Sequence, residues 1–173
     1  MKNESTTFTA TDLQSFLDEM IDRDRVALAD RLQRASDRLA EYGPLVSKGH
    51  GKQGGAWSAH EVLAHIVVLS KFYGVIFHKV SSGKITELDL LNNVGLRDAM
   101  DEQMAELEPQ ELLRMALEDH TRTIKGLRAA DVASMQRVVT VDGAEPMTAE
   151  QIARLTLISH LELHIDQLAR ALA

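Results

Sequence analysis

At 173 residues, 45% apolar and 26% charged, the chain has the makeup of one globular domain, long enough to bury a core without cross-links. A formal charge of −7 argues against a surface built chiefly for phosphate backbones, so nucleic acid is not an expected partner. Cysteine is absent, which removes disulfides, thiolate nucleophiles and cysteine-ligated zinc, and leaves histidine and carboxylate as the available metal ligands.

Three prolines and 4% aromatics, among many Ala, Leu, Glu and Arg, favour helix over sheet. No apolar run follows a basic start and none approaches 18 residues, so no membrane segment is expected and cytoplasm is the default. Residues 1–10 are polar and are expected to fray. From Asp12 to Tyr42, Leu13, Phe16, Leu17, Met20, Ile21, Ala27, Leu28, Leu32, Ala35 and Leu39 recur at three-and-four spacing. That predicts a long first helix with one inward stripe, opened by a Thr11/Gln14 capping box and stopped by Gly43-Pro44. Its arginines Arg23, Arg25, Arg31, Arg34 and Arg38 alternate with acids and read as a solvated face.

Five glycines fall within residues 43–56. No Gly-Lys-Ser/Thr ends the run and no strand precedes it, so it reads as a flexible loop rather than a phosphate cradle. Beside an open pocket it would serve as a lid.

Ser58 and Glu61 make a capping box, predicting a second helix from Ala59 to about Val80. Its stripe is Val62, Ile66, Leu69, Tyr73 and Ile76, with His65 at the edge and turned toward other helices. A short helix is expected around Val94–Leu107. Pro109 opens a helix to about Ala129, with Leu112, Leu113, Met115, Ala116, Ile124 and Leu127 inward. Arg137 to Val141 alternates weakly and ends in the turn signal Asp142-Gly143. Thr148 with Gln151 caps a last helix running to Leu172. The whole reads as a single all-α domain over residues 1–173, an up-and-down four-helix bundle with a short extra helix and a short extended segment before the last helix.

The informative stretch lies in that last helix: His160-Leu161-Glu162-Leu163-His164-Ile165-Asp166-Gln167. Histidines four apart on a helix differ by about 40° around the axis, with Cβ atoms within roughly 5–6 Å. Leu157, Leu161, Leu168 and Leu172 mark the buried face on which both sit. Burying two imidazoles without partners costs about 1–3 kcal/mol each, and a shared cation compensates both. Bundles build metal sites from inward side chains on facing helices, so His65 on the second helix is the expected third ligand. A lone histidine on such a stripe is more often satisfied by a hydrogen bond; the convergence of three positions is what favours a metal. His50, His60, His78 and His120 read as surface residues, with His120 in reserve. Glu61 is first a cap and second a proton shuttle. Gln167 is a candidate to orient a ligand ring, while Asp166 points away from His164 and is expected to be exposed.

With these residues in place, the chain resembles the DinB-like superfamily of metal-binding four-helix bundles, which includes bacterial low-molecular-weight-thiol transferases. The resemblance spans nearly the whole chain. It rests on Trp57-Ser58 with Glu61 and His65, on His160-x-x-x-His164-x-x-Gln167, and on Val141-Asp142-Gly143 followed by Pro146-Met147-Thr148. It implies a metal triad of His65, His160 and His164, commonly with nickel or zinc, and often a homodimer. Family members with a defined activity add bacillithiol or mycothiol to electrophiles, or isomerise maleylpyruvate with mycothiol. The isomerase branch uses a glutamate among its ligands where this chain has three histidines, and carries a further C-terminal domain that this chain lacks room for. Both departures turn the expectation away from isomerisation.

The leading expectation is a divalent-metal-dependent thiol S-transferase, acting on a small-molecule thiol and an electrophile, with Glu61 as general base. The alternatives are a metal-dependent hydrolase with the same ligands, in which water replaces the thiol, and a non-catalytic metal-binding bundle.

Overall fold

The computed structural model describes residues 9–49 and 56–173. Helix α1 spans Ala10–Tyr42, α2 Ala59–Ser81, α3 Val94–Met104, α4 Pro109–Ala129 and the short α5 Val132–Met135. The terminal rod joins α6 (Ala149–Gln151), a π-helical segment (Ile152–Ser159) and α7 (His160–Leu172). The expected bundle is present: α2 packs on α4, α7 and the π segment, and α1 packs on α4 and α7. Residues 1–8 and most of the glycine-rich loop, with the lid expectation and His50, lie outside the described residues.

Helix α2 is the axis of this arrangement. It buries Val62, Leu63, Ile66, Val67, Tyr73 and Phe77, which together go round the helix rather than along one stripe. By length and hydropathy it would qualify as a membrane span, yet 67% of its most apolar window is buried inside the protein, as suits a core helix. Its approach to α4 is close: a Cβ on Gly74 would stand 2.8 Å from Thr123 Oγ1. Leu63, Leu112 and Leu161 are all fully buried, so truncating any one to alanine costs about 2–5 kcal/mol.

A small sheet interrupts the helices. Among the described residues, β1 (Glu87–Leu88), β2 (Val138–Val141) and β3 (Glu145–Thr148) lie in that order, β1 parallel to β2 and β2 antiparallel to β3. The expected extended segment is therefore half of a hairpin. Asp142 and Gly143 turn it with φ of 50° and 72°, a region that favours glycine and tolerates aspartate. The Asp142 carboxylate accepts the Leu90 and Leu91 N–H groups at 2.6 and 3.1 Å, which pins the chain just before α3.

Several expectations are corrected. The capping box of α1 is Thr9 with Asp12, not Thr11 with Gln14, so the helix starts two residues earlier. The inward stripe does not run its full length: Leu13, Phe16, Leu17 and Met20 are exposed, and full burial begins at Leu28. With 33 residues against 23 in α2, α1 outreaches its neighbours, and among the described residues little covers its first turns. The arginine face is not simply solvated. Arg25 donates to the Leu127 and Arg128 carbonyls at the end of α4, where a cation complements the helix terminus. Arg31 pairs with Glu162 at 2.6 Å and Arg38 with Asp166 at 2.7 Å, both on α7.

The last helix is likewise not α-helical throughout. Buried Ile152 is followed by Leu157 and buried Ala153 by Ile158, a spacing of five. A π segment, bonded i to i+5, puts such residues on one face, whereas α spacing would turn Leu155 inward, and Leu155 is 54% exposed. Thr156 Oγ1 donates to the Ile152 carbonyl at 2.6 Å within the segment.

His60 and His120 are buried, against the surface reading. His60 Nδ1 accepts the Gly49 N–H at 3.1 Å and its Nε2 donates to the Leu107 carbonyl at 2.9 Å. His120 is 1% exposed, between Ser70 Oγ (2.8 Å) and Ser36 Oγ (3.2 Å). Burial lowers its pKa from the ordinary 6.5 to about 4. Below about 6.5 the unfolded chain takes up a proton that the folded chain refuses until about pH 4. The contribution of His120 to stability is therefore complete above 6.5, is lost as pH falls toward 4, and amounts to about 3 kcal/mol at most. In urea titrations of metal-free protein at about pH 7.5, 5.5 and 4.5, His120→Gln should lose stability less steeply than the parent chain. Equal slopes would mean that this ring is not held neutral.

Candidate metal centre

Three imidazoles meet where α2 passes α7. His65 stands on the second turn of α2, one turn past Glu61. His160 opens α7 directly after the π segment, and His164 follows one turn on. One ring nitrogen from each lies within 4.8 Å of the others. Ring centroids are 4.5 Å apart for His65 and His164, 4.8 Å for His160 and His164, and 5.9 Å for His65 and His160. All three side chains are half-buried.

The surroundings favour the neutral form of His160 and His164 and orient the rings of His65 and His164. Burial, and then the neighbouring His65 and His160, lower His164 to about 4, against the opposing bond to Gln167. Burial and His65 also lower His160, partly offset by the Thr156 carbonyl. Gln167 Oε1 lies 2.9 Å from His164 Nδ1, and Asp101 Oδ2 lies 2.9 Å from His65 Nδ1. A carboxylate or amide oxygen can only accept here, so each Nδ1 carries a proton, and in the neutral ring this is the tautomer that leaves the lone pair on Nε2. Neutral imidazoles with the far nitrogen bonded to an acceptor are the usual form of metal-ligating histidine. An ion with bonds of about 2.1 Å bridges donors up to about 4.2 Å apart, so small side-chain rotations suffice to close this set. The residues present fit a divalent cation.

The chain around the site explains why it forms. The capping box at the start of α2 fixes the entry of Trp57, with Ser58 Oγ accepting the Glu61 N–H and Glu61 Oε2 accepting the Ser58 N–H. Trp57 then stands 4.9 Å from His65 and lies nearly parallel to His164 at 6.1 Å. Arg31 and Arg38 hold the outer face of α7, which sets the rotation of its inner face. Asp166, paired with Arg38 and half exposed, points away from His164 as its position on the helix implies. Gln167 meets His164, as its spacing predicts.

Asp101 was not found by sequence reasoning. It reaches His65 from α3, 36 residues away, and no local pattern links the two. The available signal was the i, i+4 placement of Arg97 and Asp101 on one face of α3, which marks a polar edge on a short helix. A separate cavity of about 460 Å³ lies between α2, β1 and α3, lined by Phe72, Ile76, Lys79, Leu88 and Met100, and contains none of the three histidines.

A family model described as the DinB superfamily matches residues 20–168. The chain belongs to the DinB superfamily. No curated protein matches it. Among solved structures, a mycothiol-dependent maleylpyruvate isomerase superposes with a TM-score of 0.66 at 15% identity, covering 85% of this chain and 60% of that one. At that identity the likeness is one of fold, and this DinB-superfamily chain spans three-fifths of the isomerase's length.

Purified without an affinity tag, the protein should carry about one divalent ion per chain, and His160→Ala should fall below about a tenth of that. Asp101→Asn removes the charge that holds His65 and should weaken the ion about tenfold or more in chelator competition. Elemental analysis that leaves the parent chain and both variants alike would remove the site.

Proposed function

We propose that the protein is a divalent-metal-dependent S-transferase that joins a low-molecular-weight thiol to an electrophile. One observation carries the reading: three imidazoles converge from two helices on a chain that has no cysteine of its own. Membership of the DinB superfamily, and a structural neighbour named as mycothiol-dependent, support a thiol as the sulfur source. Nickel or zinc held by His65, His160 and His164 would supply the positive charge that lets a bound thiol give up its proton. Reduced thiols of this kind belong to the cytoplasm.

The chain's own residues take the remaining parts. Asp101 and Gln167 keep His65 and His164 in the tautomer that presents Nε2. Trp57 covers the two rings from one side and limits the approach of water. Glu61, one turn before His65, is assigned as the acceptor of the thiol proton, with its Oε2 already anchored by the Ser58 N–H.

The test uses nickel- or zinc-loaded protein and a chlorinated aromatic electrophile, with bacillithiol, mycothiol or no thiol. Conjugation that needs the thiol is expected. Release of the chloride without thiol would replace transfer by hydrolysis, and loaded protein that turns over nothing would reduce the chain to a metal-binding bundle. Glu61→Gln separates cap from base, because glutamine also closes a capping box. Its urea midpoint should stay that of the parent, while turnover falls by about 10²–10⁴. Unchanged turnover would leave Glu61 as a cap alone.

A further inference from the structure

Arg97 brings to this centre a positive charge that no described residue answers. From α3, its Nη1 donates to Tyr73 Oη at 2.9 Å, and its Cζ stands 5.4 Å over the Phe72 ring. Tyr73 in turn lies against His160, with ring centroids 6.2 Å apart. The guanidinium is close enough to His160 to oppose protonation of that ring. Its Nε is buried without an acceptor. No bond to Nη2 and no ion pair to Arg97 is formed among the described residues.

The obvious partner is turned elsewhere. Asp101, one turn further along α3, gives Oδ2 to His65, and its own Oδ1 is buried without a donor. Arg97 is thus held by two aromatic side chains, with Nη2 the uncommitted nitrogen that is not buried. A carboxylate engages a guanidinium N–H of this kind by a charge-assisted hydrogen bond.

We propose that Arg97 docks a carboxylate of the same small molecule whose donor atom binds at the histidines. The preferred cosubstrate is then a thiol acid rather than a neutral thiol. This rests on the metal centre described above, and it assigns Arg97 a binding role there.

The test titrates cobalt-loaded protein and reads the visible spectrum of the ion. Two matched pairs are compared: 3-mercaptopropionate with 2-mercaptoethanol, and the monohydroxamate of succinate with acetohydroxamate. The carboxylated member of each pair should bind about tenfold more tightly or better. Arg97→Gln should abolish that preference while leaving the cobalt spectrum and the affinity of the neutral members unchanged. Arg97→Lys should keep part of it, since the charge remains and the planar guanidinium is lost.

Equal affinity within both pairs, a preference that survives Arg97→Gln, or an equal loss for charged and neutral members would overturn the proposal. If neither thiol binds but the hydroxamate pair shows the Arg97-dependent preference, the thiol reading fails and the docking role of Arg97 stands. A chain that takes up no cobalt defeats both.

Discussion

An imidazole can give its lone pair to a cation only while it is unprotonated, and here burial enforces that state. His160 and His164 sit half inside the bundle, where the charged form of either ring is disfavoured by lost solvation and by the other rings beside it. Left alone, three such groups would be a liability in the core. The neighbouring structure can be understood as what keeps them there in one orientation, with acceptors on the far side of two rings and an indole over their faces.

That orientation is set from outside the site. The two arginines of α1 grip α7 on its solvent side, at Glu162 and Asp166, residues that alternate along the helix with the inward histidines. Surface ion pairs of this kind add little stability, but a pair at each end of one helical stretch resists its rotation. The small sheet has a comparable part on the opposite flank. Asp142 ties the hairpin to the backbone of Leu90 and Leu91, and the chain then enters α3, which supplies Asp101 and Arg97. A turn that looks peripheral therefore governs where two charged side chains arrive.

The parts of this protein that could be read from its sequence are those written locally. Ser58 with Glu61 and Thr148 with Gln151 are capping boxes within four residues, and both form. His160 and His164 share a face because of their spacing alone, and the burial of α2 and α7 brings His65 to them. Asp101 was out of reach because its contact depends on a connection through the sheet. His120 is a different case. Leu112, Ala116, His120 and Ile124 are evenly four apart and all buried, so the stripe ran through it, but its charged neighbours Glu118 and Arg122 suggested solvent. The exposed start of α1 shows the converse: periodicity identifies an apolar face but not whether another element is long enough to cover it.

The five-residue spacing in the π segment makes Ile152–Ser159 a reserve of helical slack. Removing one residue from it would let the backbone tighten to i to i+4 bonding with the upstream and downstream apolar faces still aligned, so His160 and His164 would keep facing His65. Adding one residue has no such relief, and would swing everything beyond it by about 100°. Length in this stretch can therefore shrink by one residue more readily than it can grow.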